Sequence, residues 1–218
     1  MIQNLAKTAF LLTCGLSLAV TALAQCPPYY YGGGPVFISV VGYTSPGVPD
    51  PLGTFTVSVS DGSGLPCSSV PVEVDFQGCT DMELDATQPG VECGAKKVTA
   101  LTDAFGVATF TITGSGRNRG GAPSALPRCV VIRVGAPPIL ASQATAVVFD
   151  QDGASVGGTP GVGLADARAV MIDYGLGFYF PRSDMNQDGE TGLGDYRALC
   201  LVYGVGSSHF GPPGYCVD

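Results

Sequence analysis

The chain has 218 residues and is acidic, with 18 Asp and Glu residues against 10 Lys and Arg residues. A formal net charge of −8 disfavours binding to nucleic acid or to an anionic membrane surface, and it suits an exported protein that meets divalent cations. Glycine is abundant, at 32 residues, and charged residues make up 13% of the chain. This composition is typical of a strand-rich secreted protein and unlike that of a helical bundle.

Residues 1–24 have the pattern of a secretory signal peptide. Lys7 is the only charged residue in this stretch, an apolar run follows it, and Ala22-Leu23-Ala24 offers a cleavage site. A membrane anchor is the alternative, but the run is too short for a comfortable span. Gln25 before Cys26 disfavours a lipoprotein, and no later segment is apolar enough to cross a bilayer. We therefore expect a bacterial protein that is secreted, extracellular or held at the cell surface.

An irregular lead-in at residues 25–34 precedes a series of short strand-like runs over residues 35–149. Alternation of apolar and polar residues is clearest in "VPVEVDF", where Val70, Val72, Val74 and Phe76 share one face. Glycine and proline turns separate the runs, which favours an antiparallel β-sandwich. The predicted strands are 36–42, 54–61, 70–76, 96–103, 107–114, 129–135 and 141–150.

Two stretches of this region, "FTVSVSDGSGLPCSSVPVEVDF" and "TDAFGVATFTITG", resemble an invasin-like bacterial immunoglobulin-like (Ig-like) domain. In that family a strand ends in Asp before a Gly-x-Pro turn, and a Thr-Asp-x-x-Gly-x-Ala turn leads into an aromatic-bearing strand. The resemblance implies an Ig-like sandwich that acts as a spacer or adhesion module without chemistry of its own. The matching residues are Asp61, Gly64, Pro66, Thr102, Asp103, Gly106, Ala108 and Phe110.

After residue 150 the pattern changes to glycine-rich loops, each followed by a helix-like stretch, at 163–175 and 192–204. The two stretches align without gaps at an offset of 29 residues, which indicates an internal duplication. Gly175 and Gly204 then look like C-terminal caps. Helical spacing predicts that the apolar faces are Leu164, Ala167, Met171 and Tyr174 in the first copy, and Leu193, Tyr196, Cys200 and Tyr203 in the second.

The loop "DMNQDGETGLGD" before the second helix has the spacing of a calcium loop. Asp184, Asn186 and Asp188 occupy positions 1, 3 and 5, and Gly189 follows at the sharp turn. Glu190 at position 7 would offer its backbone carbonyl, and Asp195 closes the loop at position 12. Because calcium prefers oxygen ligands, the register predicts that this loop binds calcium.

A helix-loop-helix EF-hand would have a helix before this loop, but Pro181 in "FYFPRS" opposes one. One loop followed by one helix, in two copies, resembles a type I dockerin, and it implies a calcium-binding protein-docking module over residues 150–218. The implied partner is cohesin-like or a surface scaffold. The helix starts read Leu164-Ala165 and Leu193-Gly194, where that family often has a Ser-Thr pair, so this chain departs from the usual partner recognition.

The first copy of the loop is degenerate. Asp150 and Asp152 open it, and Asp166 aligns with Asp195. Asp150 and Asp166 lie 16 residues apart, against 11 for Asp184 and Asp195, which indicates a five-residue insertion. Either the loop bulges and still binds calcium, or this site is lost.

Seven cysteines remain after the predicted cleavage, and most should pair in an oxidising compartment. Spacing alone does not determine their connectivity. We expect Cys79–Cys93 across a loop and Cys200–Cys216 at the tail, with Cys67–Cys129 as one option for a third bond.

The sequence gives no support for an enzyme. His209 is the only histidine and lies in a glycine-rich stretch, and the chain has no G-x-S-x-G, P-loop or H-E-x-x-H motif. We expect a non-catalytic protein with an Ig-like spacer and a calcium-stabilised docking module. The alternative is an accessory carbohydrate-binding component of an extracellular polysaccharide-degrading complex, in which aromatic residues such as Tyr29–Tyr31 would stack on sugar rings.

Overall fold

The structure is a computed structural model that describes residues 30–31, 33–117, 126–154, 160–204 and 210–216. The predicted signal peptide, Tyr29 and His209 lie outside these residues. The strands are β1 (Tyr30–Tyr31), β2 (Phe37–Val40), β3 (Tyr43–Ser45), β4 (Val48–Pro49), β5 (Thr54–Ser60), β6 (Pro71–Asp75), β7 (Met82–Leu84), β8 (Val91–Glu92), β9 (Lys97–Leu101), β10 (Val107–Thr111), β11 (Gly114–Gly116), β12 (Val130–Val134) and β13 (Ile139–Val148). The helices are α1 (Leu164–Leu176) and α2 (Leu193–Gly204), and short 3₁₀ turns lie at Pro51–Gly53, Cys93–Ala95 and Pro181–Ser183.

The chain is therefore mainly β with a small helical part near its C-terminus. Each of the seven predicted strands is present as β2, β5, β6, β9, β10, β12 and β13. The alternation in β6 is also confirmed, since Val70, Val72, Val74 and Phe76 are all buried. The short strands β1, β3, β4, β7, β8 and β11 were not predicted, because two or three residues are too few to show a period of two. β1 also makes part of the lead-in regular, since it pairs with β5.

The main core lies mostly between two sheets, and Met82 and Leu84 of β7, from the two-stranded sheet β11-β7, add to it. The larger has six strands in the order β2-β13-β12-β6-β9-β8, and the smaller has three in the order β1-β5-β10. Pairing is antiparallel in both, except that β13 pairs with β2 in parallel. This exception to the expected antiparallel arrangement arises because no hairpin joins β2 to β13 and sets their direction. Buried residues from both sheets meet in one cluster, which includes Val57, Phe110, Val72 and Ile132.

A second apolar cluster joins the helices to the strands. Val41, Val147 and Phe149 come from the strand-rich part, and they pack with Val162, Ala167, Val170, Met185 and Leu199 from the loops and helices. The C-terminal segment therefore shares a core with the β-rich part of the chain.

The buried faces of the helices differ from the prediction. On the predicted face of α1, Ala167 is buried as expected, but Leu164, Met171 and Tyr174 are exposed. The helix also buries Asp166, Ala169, Val170 and Asp173. In α2, Leu193 and Tyr196 are exposed, whereas Asp195 and Leu199 are buried. The prediction was wrong because both helices turn aspartates inward, and these bond to groups that apolar periodicity does not detect. α1 also ends at Leu176, and Gly177, with φ of 69°, caps it in place of Gly175.

The disulfides also differ from the expected pairs. Cys79 bonds to Cys129 and Cys93 bonds to Cys216, so the Cys79–Cys93, Cys200–Cys216 and Cys67–Cys129 pairings are wrong. Cys200 is a free thiol, and Cys67 is disulfide-bonded. The reason is proximity in the fold, since Cα atoms must approach to about 4.4–6.8 Å. The two observed pairs lie 5.0 and 4.9 Å apart.

Among the described residues, no helix is both long and apolar enough to cross a membrane.

Candidate metal centre

The second predicted calcium loop wraps its backbone around Asp184. The two carboxylate oxygens of this buried side chain accept hydrogen bonds from the Asp188 and Gly189 N–H groups, each at 3.0 Å. Gly189 has φ of 88°, a conformation that glycine adopts without steric cost. The resulting turn directs the Asp188 and Gly189 N–H groups toward the Asp184 carboxylate. The Tyr179 hydroxyl also donates to Asp184, at 3.0 Å. A 3₁₀ turn, not an α-helix, precedes the loop at Pro181–Ser183, as Pro181 predicted.

Asp195 closes the same loop from the first turn of α2. Its carboxylate accepts from the Asn186 N–H at 3.1 Å and from the Gly192 N–H at 2.6 Å, so it ties the start of the loop to the start of the helix. Asn186, Asp188 and Glu190 are more exposed, and the Asn186 side chain donates to the Asp188 carboxylate at 2.7 Å. The structure thus reproduces the predicted order of the loop, with its first and last carboxylates buried and the middle ones near solvent.

The degenerate first loop repeats this bonding pattern. Asp166 accepts from the Gly163 N–H at 2.6 Å, as Asp195 does from Gly192. Asp150 accepts from the Gly161 N–H at 2.7 Å, and Gly161 has φ of 100°, close to that of Gly189. The insertion therefore does not separate the opening aspartate from the turn glycine. Residues 155–159, within the insertion, lie outside the described part of the chain.

Three carboxylates converge in this first loop. Asp150, Asp152 and Asp166 are all buried, and each offers an oxygen within 4.8 Å of the other two. Within the described ranges, the second loop does not bring three carboxylates together in this way. The sequence predicts calcium at the second loop and leaves the first loop open, whereas the tighter carboxylate cluster lies in the first.

The electrostatics of the cluster disfavour the ionised forms of Asp150 and Asp166. Burial raises the pKa of Asp150 to about 6, and hydrogen bonds from Gly161 and Gly153 oppose this shift only in part. Burial, and then the charge on Asp150, raise the pKa of Asp166 to about 7. A cation among the three oxygens would remove this repulsion, because an opposite charge favours the ionised form of a carboxyl group.

The donor set of the first loop fits calcium. Calcium takes six to eight oxygen ligands, from carboxylates, carbonyls and water, in flexible geometry. The cluster supplies carboxylate oxygens from three buried aspartates. The set contains no thiolate or imidazole, which zinc would favour.

The first loop is also bound to the strand-rich part of the chain. The Gly116 N–H and the Ser115 hydroxyl both donate to the backbone carbonyl of Asp150, at 2.6 and 3.1 Å. The Ala154 N–H donates to the Ser115 hydroxyl at 3.0 Å. Because Ser115 and Gly116 belong to β11, these hydrogen bonds fix the first loop to the strands at their junction with the helices.

A buried ion-pair network lies at the same junction. Arg182 donates to both carboxylate oxygens of Asp173, at 3.1 and 3.2 Å, and its Nη1 lies 3.7 Å from Asp81 Oδ2. The Ser183 hydroxyl donates to Asp173 at 2.6 Å, and Gln151 Nε2 donates to the Arg182 carbonyl at 3.2 Å. Sequence reasoning missed this network, since nothing local to Asp81, Asp173 or Arg182 shows that the fold brings them together.

Phe110 does not supply an aromatic platform on which a sugar ring could stack. Phe110 is buried and stacks on Phe55 with ring centroids 5.2 Å apart, so it offers no exposed platform. The side chains of Tyr29–Tyr31 lie outside the described part of the chain.

No protein-family model, curated protein or solved structure matches this chain. A functional proposal therefore rests on the geometry of the two loops and of the surfaces around them.

Proposed function

We propose that this is a non-catalytic secreted or cell-surface protein in which an Ig-like spacer or adhesion domain is joined to a calcium-stabilised, dockerin-like docking module. The observation that carries the proposal is the shared bonding of the two loops. In both, an opening aspartate accepts from a left-handed turn glycine, and a closing aspartate on the helix accepts from the glycine three residues before it. Two loops of this kind suit calcium, which needs oxygens held in a turn.

Calcium would act through folding. The ligands of a loop are assembled in the folded chain and dispersed in the unfolded chain, so binding adds to the free energy of unfolding by mass action. Asp150, Asp152 and Asp166 would hold the ion in the first loop. Asp184, Asp188 and Asp195, with Asn186 and the Glu190 carbonyl, would hold it in the second.

The exposed faces of α1 and α2 support the docking role. Leu164 and Leu193 occupy equivalent positions at the two helix starts, and both are exposed. Tyr174 of α1 and Tyr196 of α2 add exposed aromatic surface. In the proposed docking role these exposed apolar side chains would supply the contact surface for the partner. The partner is a cohesin-like or scaffold protein. Its contact face is apolar at the positions where the usual partner binds the hydroxyl groups of the dockerin Ser-Thr pair.

Calorimetric titration with calcium tests the metal proposal and counts the sites. We expect two ions per chain. We expect Asp166→Asn to remove the first site and Asp195→Asn to remove the second. Glu92→Gln serves as a control because it removes one exposed carboxylate on the strand-rich part.

Thermal unfolding gives an independent readout. At a calcium concentration about 100 times Kd, one site contributes about 2.7 kcal/mol to the free energy of unfolding. For a chain of this size that corresponds to a melting temperature roughly 5–10 °C higher with calcium than with chelator. An unchanged melting temperature after chelation, together with no heat of calcium binding, would refute the calcium proposal.

A further inference from the structure

The outer edge of β10 carries backbone groups that point away from its sheet. β10 pairs with β5 in a register that places Thr109 opposite Thr56 and Thr111 opposite Thr54. In the same register the Ile112 N–H donates to the Gly53 carbonyl and the Val59 N–H donates to the Gly106 carbonyl. Antiparallel pairs alternate between bonded and non-bonded residues, so Ala108 and Phe110 bond to β5. The N–H and C=O groups of Thr109 and Thr111 therefore face outward.

Side chains close this edge at both ends in the manner of a neighbouring strand. At one end the Val107 N–H donates to the Asp103 carboxylate at 3.0 Å, and the Asp103 N–H donates to the Val107 carbonyl at 2.9 Å. At the other end the Thr113 N–H donates to Gln88 Oε1 at 3.1 Å, and Gln88 Nε2 donates to the Thr113 carbonyl at 3.2 Å. Between these two caps, Thr109 and Thr111 have no main-chain partner on this side within the described residues.

A cleft of about 790 Å³ lies in front of these two threonines. Its size is within the range of about 300–1,000 Å³ that is usual for ligand pockets. Thr99 and Ala100 of β9 form part of its lining, and Gln88 and Phe210 also contribute. Among the described residues that line it there is no Asp, Glu, Lys, Arg or His.

We propose that this cleft binds an extended, uncharged peptide segment of a partner protein, which adds to β10 as a further strand. The main-chain groups of Thr109 and Thr111 offer two donors and two acceptors at the two-residue repeat of a strand, about 6.6–6.8 Å. An extended peptide presents the complementary groups at the same repeat, and peptide recognition by strand addition uses this match. The absence of charge in the lining sets the preference for uncharged side chains.

The shape of the cleft favours a single chain over the edge of a second copy of this protein. Residues of the Tyr43–Pro49 segment and the Phe210–Pro213 segment line the cleft together with β9. A strand that already belongs to a folded sheet would bring its neighbouring strands into these walls. A single extended segment has no such neighbours. The donors and acceptors of this site are main-chain groups of β10, so the proposal does not rest on the proposed calcium binding.

The test uses the full secreted chain and a library of uncharged heptapeptides as the probe. We expect library members to bind, and the amide protons of Thr109 and Thr111 to become protected from hydrogen exchange on binding. Thr109→Pro removes the outward N–H, and an edge strand tolerates proline on its free side. We expect this variant to weaken binding by about tenfold or more, which is about 1.4 kcal/mol. The matched control Thr109→Ala keeps the N–H and should bind within about threefold of the parent chain.

A second arm tests the same hydrogen bonds if the proline variant does not fold. Two versions of the bound heptapeptide are made, one methylated at its odd-numbered backbone nitrogens and one at its even-numbered ones. One version should no longer bind the unaltered chain, and the other should bind as before, because only alternate N–H groups of a strand face its neighbour. The proposal is overturned if no heptapeptide binds, if Thr109→Pro and Thr109→Ala bind equally well, or if both methylated sets bind. Concentration-dependent dimers that Thr109→Pro abolishes would also overturn it, in favour of self-association through β10.

Discussion

The buried guanidinium of Arg182 offers the sharpest test of how the helices are held on the strands. Arg182 is 1% exposed, Asp173 is fully buried and Asp81 is 4% exposed. The substitution Arg182→Met keeps much of the side-chain volume and removes the charge. It leaves two buried carboxylates that have lost their shared cation, although the Ser183 hydroxyl still donates to Asp173.

The magnitude follows from this burial. Removing one partner of a buried ion pair costs about 3–5 kcal/mol, because the remaining charge stays in the protein interior without its counter-ion. Because Arg182 faces two buried carboxylates, we expect Arg182→Met to lower the free energy of unfolding by about 4 kcal/mol. For a chain of this size the melting temperature should fall by roughly 8–16 °C.

Urea unfolding of the oxidised chain at neutral pH, followed by far-ultraviolet circular dichroism, measures this loss. Arg168→Met is the matched control, since Arg168 is an exposed residue of α1, and we expect a change within about 0.5 kcal/mol. The double variant Arg182→Met with Asp173→Asn should recover at least about 1 kcal/mol, because it no longer buries that charge. A loss below about 1 kcal/mol for Arg182→Met, or no recovery in the double variant, would refute this account of the junction.

Two further predictions concern the cross-links and the turns. Cys216→Ser removes the Cys93–Cys216 disulfide, whose cysteines are 123 residues apart in the chain. It should lower the free energy of unfolding, measured by urea titration, by about 3–5 kcal/mol. Cys200→Ser is the control because Cys200 is a free thiol, and equally small effects of the two variants would contradict the prediction. Gly90→Ala should cost about 1–3 kcal/mol, because Gly90 has φ of 74° and an added Cβ would meet the Thr99 carbonyl. Its control is Gly94→Ala, where a Cβ meets nothing within 4 Å, and equal melting temperatures for the two variants would show the reasoning to be wrong.

The strands and the loop-helix duplication were predictable from sequence because their signals are local. A strand such as β6 shows its buried face through alternation at a period of two, and Val70, Val72 and Val74 are buried as that period requires. The helix starts at Leu164 and Leu193 were predictable because each follows a glycine and a loop with its closing aspartate in the first turn. Such patterns depend on neighbours a few residues apart, which the sequence displays directly.

The helix faces show where local patterns failed. The apolar residues of α1 and α2 occur at helical spacing, yet Leu164, Met171 and Leu193 face outward. The inward face instead carries Asp166, Asp173 and Asp195, whose carboxylates bond to loop N–H groups and to Arg182. Periodicity ranks residues by hydropathy, so it does not recognise a buried carboxylate whose partners come from elsewhere in the chain.

The sequence by itself determined the strand-rich class and the paired, aspartate-rich loops, since each depends on residue type at short spacing. Tertiary structure decided which cysteines pair, which aspartates converge and which surfaces stay open. Cys93 reaches Cys216 only after the C-terminal tail pairs with the strands, where the Cys216 N–H donates to the Leu84 carbonyl at 2.9 Å. Asp150 lies beside Asp166 only because β11 and α1 hold the inserted loop between them. These contacts join residues that are far apart in the chain, and their geometry arises from packing of the whole core.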